Sequence, residues 1–196
     1  MFQSKVEYVF HSSSERQLGQ IAQVSRGKIF CGSELSAKET LARCILKGHD
    51  SVLEFADLCV FITCPIFVAR QLMRYRAASY LERSMRYGSP TNDDLIQPDA
   101  LCADLFREHS NKCNKVYDDL FFVYDEPREI ARAALPLSTP TQFVMKANLR
   151  EWLHIFDQRM TPYAQSDTRD LVEQVYEIVK EKFPLVIEKY EEKHAN

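Results

Sequence analysis

Residues 55–86 read FADLCVFITCPIFVARQLMRYRAASYLERSMR. The β-branched and aromatic residues Phe55, Val60, Phe61, Ile62 and Thr63 predict a strand from Phe55 to Thr63. Pro65 then suits the first turn of a helix, and that helix is expected to carry the arginines that follow. The same order recurs downstream, where Thr139 to Ala147 predicts a second strand. Asn148 to Arg159 then predicts a helix that buries Leu149, Trp152, Leu153 and Phe156. Upstream, Ser36 with Glu39 reads as a capping box for a helix over about 36–47, with Gly48 at its C-terminal cap. Turn formers fill Gly88 to Pro98, and Leu101, Leu105, Val116 and Leu120 then predict a long amphipathic helix. A short helix starts at Pro127 and stops at Pro136, and a closing helix runs from Gln165 to Phe183. Leu101, Leu105 and Trp152 are read as core. The sum is an α+β fold, one domain over 1–196, with a small mixed or antiparallel sheet flanked by long helices. Too few strands alternate with helices for a doubly wound parallel sheet.

The chain has 196 residues, 45% hydrophobic and 27% charged. That is enough to bury one core, and it leaves disorder, collagen and coiled coil as poor fits. With 25 Lys+Arg against 28 Asp+Glu the net charge is -3, so nothing global favours nucleic acid or an anionic membrane. Apolar runs such as Leu58–Phe61 and Ile66–Ala69 stop far short of the roughly 18–20 residues a membrane span needs. Met1–Phe10 has no apolar signal-peptide core. A soluble, unexported, cytoplasmic protein is expected. Cys31, Cys44, Cys59, Cys64, Cys102 and Cys113 form no CxxC pair, and together with five histidines they give no metal spacing.

Within residues 70–86 stand Arg70, Arg74, Arg76, Arg83 and Arg86, with Ser79, Ser84 and a single acid, Glu82. On a helix Arg70 would face Arg74, and Arg76, Ser79 and Arg83 would share a stripe, where like charges repel. Two readings compete. Either this is a solvated basic face, paired internally with acids such as Glu54, Asp57 and Glu82, or it awaits an external anion such as phosphate, which the planar guanidinium binds through two donors. The apolar IFVA before the run and the recurrence of Arg132, Arg150 and Arg159 in apolar settings favour the anion.

Arg74-Tyr75-Arg76, seven residues, then Ser84-Met85-Arg86-Tyr87 resembles the signature of the flavin-dependent thymidylate synthases, Arg-His-Arg, seven residues, Ser, then Arg-Tyr. Gly48-His49-Asp50-Ser51 through Glu54 is similar to that family's Gly-His-Glu-Ser/Thr segment. PIFVARQ leads into the arginines in the same way. Ala131-Arg132 with Leu135-Pro136, Asn148-Leu149-Arg150, Arg159, and Ala164-Gln165 with Arg169 follow in the family's order. The resemblance spans residues 36–184. It departs at Tyr75, where the family has His, at Leu81, where it usually has Asn, and at Phe55, where many members have His. Tyr75 can stack and hydrogen-bond but cannot become a cation at neutral pH as His can.

The resemblance implies a flavin-dependent thymidylate synthase-like fold and reductive methylation of dUMP to dTMP. Methylenetetrahydrofolate would give the carbon, and FAD reduced by NADPH the hydride. It implies Arg159 as the catalytic charge stabiliser at the pyrimidine. Gln71, Arg74, Glu82, Arg83, Ser84, Met85, Arg86, Arg132 and Arg159 match nucleotide-binding positions. His49, Ser51, Arg74, Tyr75, Arg76, Glu82, Asn148, Leu149, Arg150 and His154 match flavin or folate positions. It further implies a homotetramer with sites shared between subunits. Alternatives stay open: UMP as the substrate, or a silent nucleotide- and flavin-binding homologue. An RNA-binding module is disfavoured by the absence of interleaved aromatic platforms. Ser84 is read as a binding residue, because no Ser-His-Asp arrangement is visible. Cys64, a cysteine before a proline, is read as a coincidental likeness to the cysteine nucleophile of the unrelated thymidylate synthases.

Overall fold

Strands β2 (Asp57–Pro65) and β4 (Pro140–Asn148) pair antiparallel along their whole length, from Asp57 opposite Asn148 to Pro65 opposite Pro140. In this register Leu58, Val60, Ile62 and Cys64 stand opposite Ala147, Met145, Phe143 and Thr141, and all eight are buried. Inward positions thus alternate with less buried ones along β4, as expected of an antiparallel sheet with one face on a core. The computed structural model describes residues 4–27, 33–88 and 103–195 of the chain. It completes the sheet with β1 (Lys5–His11) beside β2 and β3 (Ala78–Glu82) beside β4, in the order β1-β2-β4-β3 and antiparallel throughout. The α+β expectation with a small antiparallel sheet holds.

The helices are α1 (Glu15–Val24), α2 (Glu34–Leu46), α3 (Ile66–Leu72), α4 (Ala103–Asp118), α5 (Arg128–Ala131), α6 (Leu149–Arg159), α7 (Ser166–Lys182) and α8 (Pro184–Ala195). Trp152 and Phe156 of α6, Val175 and Val179 of α7, and Phe183 fill the core with the sheet residues. Trp152, fully buried, donates its indole N–H to the Leu58 carbonyl at 3.2 Å, which fixes α6 to the central strand. Among the described residues no helix is long and apolar enough to cross a membrane, and Cys44, Cys59, Cys64 and Cys113 are free thiols.

The structure corrects several expectations. The helix after Pro65 does not carry the arginine run: α3 ends at Leu72, residues 74–77 turn, and residues 78–82 form edge strand β3. Ala78–Glu82 pair with Phe143–Ala147, so strand pairing overrides the helical leaning of the sequence. The Tyr80 hydroxyl, 2.8 Å from the carbonyls of both Leu72 and Tyr75, ties that turn down. Helix α2 is capped by Ser33, whose hydroxyl accepts the Ser36 N–H, and not by Ser36. Gly48 does close it, at φ +70°, with the His49 N–H returning to the Cys44 carbonyl. Phe55 belongs to a 3-10 segment, Asp50–Phe55, and β2 starts two residues later. Trp152 is core, but Leu105 is 68% exposed, because nothing within the described chain covers that side of α4. Strand β1 and helices α1 and α8 were not anticipated. Most of the Gly88–Pro98 turn segment, Leu101, Cys31 and Cys102 lie outside the described residues.

Helices α1 and α2 meet at Gly19, where a Cβ would fall 2.2 Å from the Ala37 carbonyl oxygen. Such a clash with backbone cannot be relieved by a rotamer change. Overpacking costs about 1–3 kcal/mol or more, against roughly 1 kcal/mol that alanine gains over glycine inside a helix. Gly19→Ala is therefore expected to lower the melting temperature by several degrees, measured by thermal denaturation followed by circular dichroism. An unchanged or raised temperature would contradict this packing.

Candidate active site

Strand β4 runs into α6 with no loop between them. Asn148 ends the strand and caps the helix, its side-chain oxygen accepting the Glu151 N–H at 2.9 Å, while the Leu149 N–H is held by the Ala56 carbonyl at 2.9 Å. Arg150 therefore stands in the first turn of α6, His154 in the middle and Arg159 in the last turn, about 13 Å along the axis from Arg150. Leu149 is buried as a core residue, whereas Arg150 and His154 are exposed.

The turn after α3 comes against the C-terminal half of α6. Tyr75, 7% exposed, accepts a hydrogen bond from Arg159 Nε at 2.8 Å and donates its own proton to Gln158 Oε1 at 3.0 Å. The Arg159 guanidinium carbon lies 5.5 Å from the Tyr75 ring centre, and the His154 ring meets Tyr75 edge-on with centroids 6.1 Å apart. Burial pushes the Tyr75 phenol above its ordinary pKa, a shift that Arg159 opposes. Gln71, at the end of α3, donates to Gln165 at 2.5 Å. Tyr75, His154 and Arg159 are thus joined through contacts on facing elements, with Gln158 the member that sequence reasoning missed, while Gln71 is tied instead to Gln165. Its only signal was its place four residues after His154 on the same helix.

The other arginines divide by whether an acid neutralises them. Arg150 pairs with Glu54, and Arg86 with Glu129 at 2.7 Å. Arg83 reaches the Gln142 side-chain oxygen at 3.4 Å. Arg70, Arg74, Arg76 and Arg132 have no hydrogen-bond or ion-pair partner among the described residues. The acids that internal pairing would have used are occupied elsewhere: Glu54 by Arg150, Asp57 by Lys146 at 3.3 Å, and Glu82 by the Thr141 hydroxyl at 2.7 Å. Glu82, Arg83, Ser84, Met85 and Arg86 lie at and beyond the end of edge strand β3, with the Ser84 hydroxyl accepting the Arg86 N–H at 3.2 Å. Among the described residues no hydrogen bond or ion pair joins Glu82, Ser84, Met85 or Arg86 to Tyr75 or Arg159.

Two cavities flank the Asp50–Phe55 segment. One, of about 770 Å³, is lined by Ile21, Val24, Cys44, Val52 and Phe55, with His49 and Ser51 contributing polar atoms. The other, of about 200 Å³, is polar and holds Asp50, Arg150, His154 and Asp157 against Tyr190 and His194 of α8. Tyr190 donates to Asp157 at 2.6 Å, and His194 lies 3.1 Å from the same carboxylate. These α8 partners were invisible in the sequence reading because Phe183-Pro184 looked like the end of the last helix.

The sequence profile of the family described as thymidylate synthase complementing protein matches residues 6–185. The chain belongs to this family. The flavin-dependent thymidylate synthase of Thermus thermophilus is 31% identical over 208 residues, covering 95% of this chain and 75% of that protein. The flavin-dependent thymidylate synthase of Pseudothermotoga lettingae is 29% identical over 203 residues, covering 94% and 89%. Among solved structures, the UMP/dUMP methylase PolB from Streptomyces cacaoi, bound with 5-Br dUMP, superposes with a TM-score of 0.83. It is 22% identical and covers 96% of this chain and 95% of that one. The fold is therefore that of a known group of enzymes, and the family is one of flavin-dependent catalysts.

Cys64 is fully buried on the core face of β2, and desolvation pushes its thiol up to about 12. At neutral pH no thiolate forms there, and the thiolate is the nucleophilic form. When the native protein is treated with iodoacetamide at pH 8 and digested, the Cys64 peptide is expected to be unmodified until the protein is denatured. Alkylation in the native state would contradict this burial.

Proposed function

We propose that this enzyme catalyses reductive methylation at C5 of a uridine monophosphate nucleotide, dUMP to dTMP, with methylenetetrahydrofolate as carbon donor and FAD, reduced by NADPH, as cofactor. The observation that carries the reading is the set of uncompensated arginines. The side chains of Arg74, Arg76 and Arg132 have no partner anion among the described residues, while Glu54, Asp57 and Glu82 are engaged elsewhere, and Arg159 is held beside Tyr75. A nucleotide monophosphate supplies the missing negative charge, and guanidinium groups bind it through paired donors.

The residues take the roles that the resemblance assigns. Arg74, Arg83, Ser84, Arg86 and Arg132 hold the phosphate and sugar, with Gln71, Glu82 and Met85 shaping the nucleotide subsite. Arg159 meets the pyrimidine. C5 attacks the methylene carbon of the folate as a nucleophile, and a fixed guanidinium beside N3 and the ring carbonyls stabilises the electron-rich form of the ring that this attack needs, most strongly when water is excluded. The C5 proton leaves as the ring regains its double bond, and the bond from the methylene carbon to the folate nitrogen then breaks, its electron pair leaving with tetrahydrofolate. The chain supplies no covalent nucleophile in this scheme, in keeping with the burial of Cys64. Bound and reduced, the flavin supplies the hydride that completes the methyl group.

The donor set fits a flavin. The larger cavity offers the apolar walls of Ile21, Val24 and Phe55, with His49 and Ser51 as polar contacts, and its volume suits a cofactor site. Arg74, Tyr75, Arg76, Glu82, Asn148, Leu149, Arg150 and His154 are the other residues assigned to the flavin or folate. The reading includes a homotetramer with sites shared between subunits. Exposed Leu81, Tyr87, Leu105, Phe122 and Val123 support it, since each leaves apolar surface uncovered in one chain. UMP is the second reading, favoured by the likeness to PolB, described as a UMP/dUMP methylase.

The test is an assay with FAD, NADPH, methylenetetrahydrofolate and either 5-tritiated dUMP or 5-tritiated UMP, following tritium release and the nucleotide product. Release from dUMP with dTMP formed is the expected result. Release from UMP alone would overturn the deoxynucleotide assignment, and release from neither would overturn the methylase.

A further inference from the structure

The hydrogen bonds around Tyr75 have a fixed direction. Arginine has no acceptor, so the 2.8 Å contact between Arg159 Nε and the phenol oxygen is a donation from arginine. The phenol has one proton, and the Gln158 Oε1 atom 3.0 Å away takes it. The Gln158 Nε2 atom then donates to His154 Nε2 at 3.1 Å. A single chain of donations therefore runs from Arg159 through Tyr75 and Gln158 to His154. The backbone of the turn is also anchored, because the Tyr80 hydroxyl, bound to the Leu72 and Tyr75 carbonyls, has its own pKa raised by burial.

We propose that Tyr75 is a positioning residue for Arg159: its phenol oxygen holds Nε–H, so that only the two Nη groups at the end of the guanidinium are free to meet the pyrimidine. This rests on the reading that Arg159 faces the base. A free arginine side chain loses rotamer freedom when it is fixed. With Nε already engaged, part of that cost is met in folding rather than at the transition state, where it would slow the reaction. Orientation matters as well as order. The paired Nη donors present a flat two-point edge, suited to a ring nitrogen and an adjacent carbonyl that gain charge together. Tyr75 itself stays neutral across the physiological range and places no competing cation beside Arg159.

The Tyr75→Phe variant removes the oxygen and keeps the ring that packs on His154. In the tritium-release assay kcat is expected to fall about tenfold or more, while KM for the nucleotide changes by no more than about threefold, the pattern for loss of an interaction that acts in the transition state. In an Arg159→Ala background the same change is expected to cost nothing further. Wild-type kcat in Tyr75→Phe, or an equal loss in both backgrounds, would overturn the proposal. A second measurement does not depend on turnover: the Arg159 Nε–H resonance in a nitrogen-15 spectrum, assigned by its loss in Arg159→Lys. It is expected to exchange slowly with water in the wild type and fast in Tyr75→Phe. Fast exchange in the wild type overturns the proposal. Slow exchange in an enzyme that releases no tritium would sustain the positioning of Arg159 and sink the methylase reading alone.

Discussion

The ladder between β2 and β4 is the constraint on which the rest of the molecule depends. Nine residues of each strand pair without a break, and the flanking elements leave from its ends. At Pro65 the chain turns into α3, and at Asn148 it turns into α6, with a proline and a capping asparagine marking the two exits. Because β4 is central, its residues pair with β2 on one side and β3 on the other, which sets the depth at which the arginine turn can sit. Trp152, bound to Leu58, then lays α6 along the same sheet. The meeting of Tyr75 with Arg159, residues 84 positions apart, follows from these fixed points.

Electrostatics divides the site into a part the chain completes and a part it leaves open. Arg150, Arg86 and Arg159 each find a partner, and their ion pairs and hydrogen bonds are internal. Arg74, Arg76 and Arg132 do not, although one chain brings many carboxylates to its surface. Exposed single ion pairs contribute little to stability, so an unpaired surface arginine costs the fold little. On the proposed function these unpaired arginines are where the phosphate of the nucleotide is received.

Much of this was legible in the sequence. The β2 and β4 strands, the helix over 149–159 and the buried side with Trp152 and Phe156 follow from periodicity and capping. The residues that resemble the family include the uncompensated arginines. What could not be read depended on contacts distant in sequence. The stretch from Ala77 to Glu82 has residues that tolerate a helix, and only pairing with Phe143–Ala147 makes it a strand. Leu105 lies in an amphipathic pattern, but pattern does not say whether a face is covered within one chain or left exposed. Gln158 carries no motif, and its part in the chain of hydrogen bonds exists only because Tyr75 folds back over α6.

The account's central claim is that the methyl group made here is completed by a hydride from reduced flavin while the pyrimidine is held at Arg159. The hydrogen on the flavin nitrogen exchanges with solvent, so the direct test is an anaerobic single turnover in heavy water with chemically reduced FAD, methylenetetrahydrofolate and dUMP, followed by mass analysis of the nucleotide. The account requires a methylated product carrying a single solvent-derived deuterium. A methylated product without deuterium would contradict it.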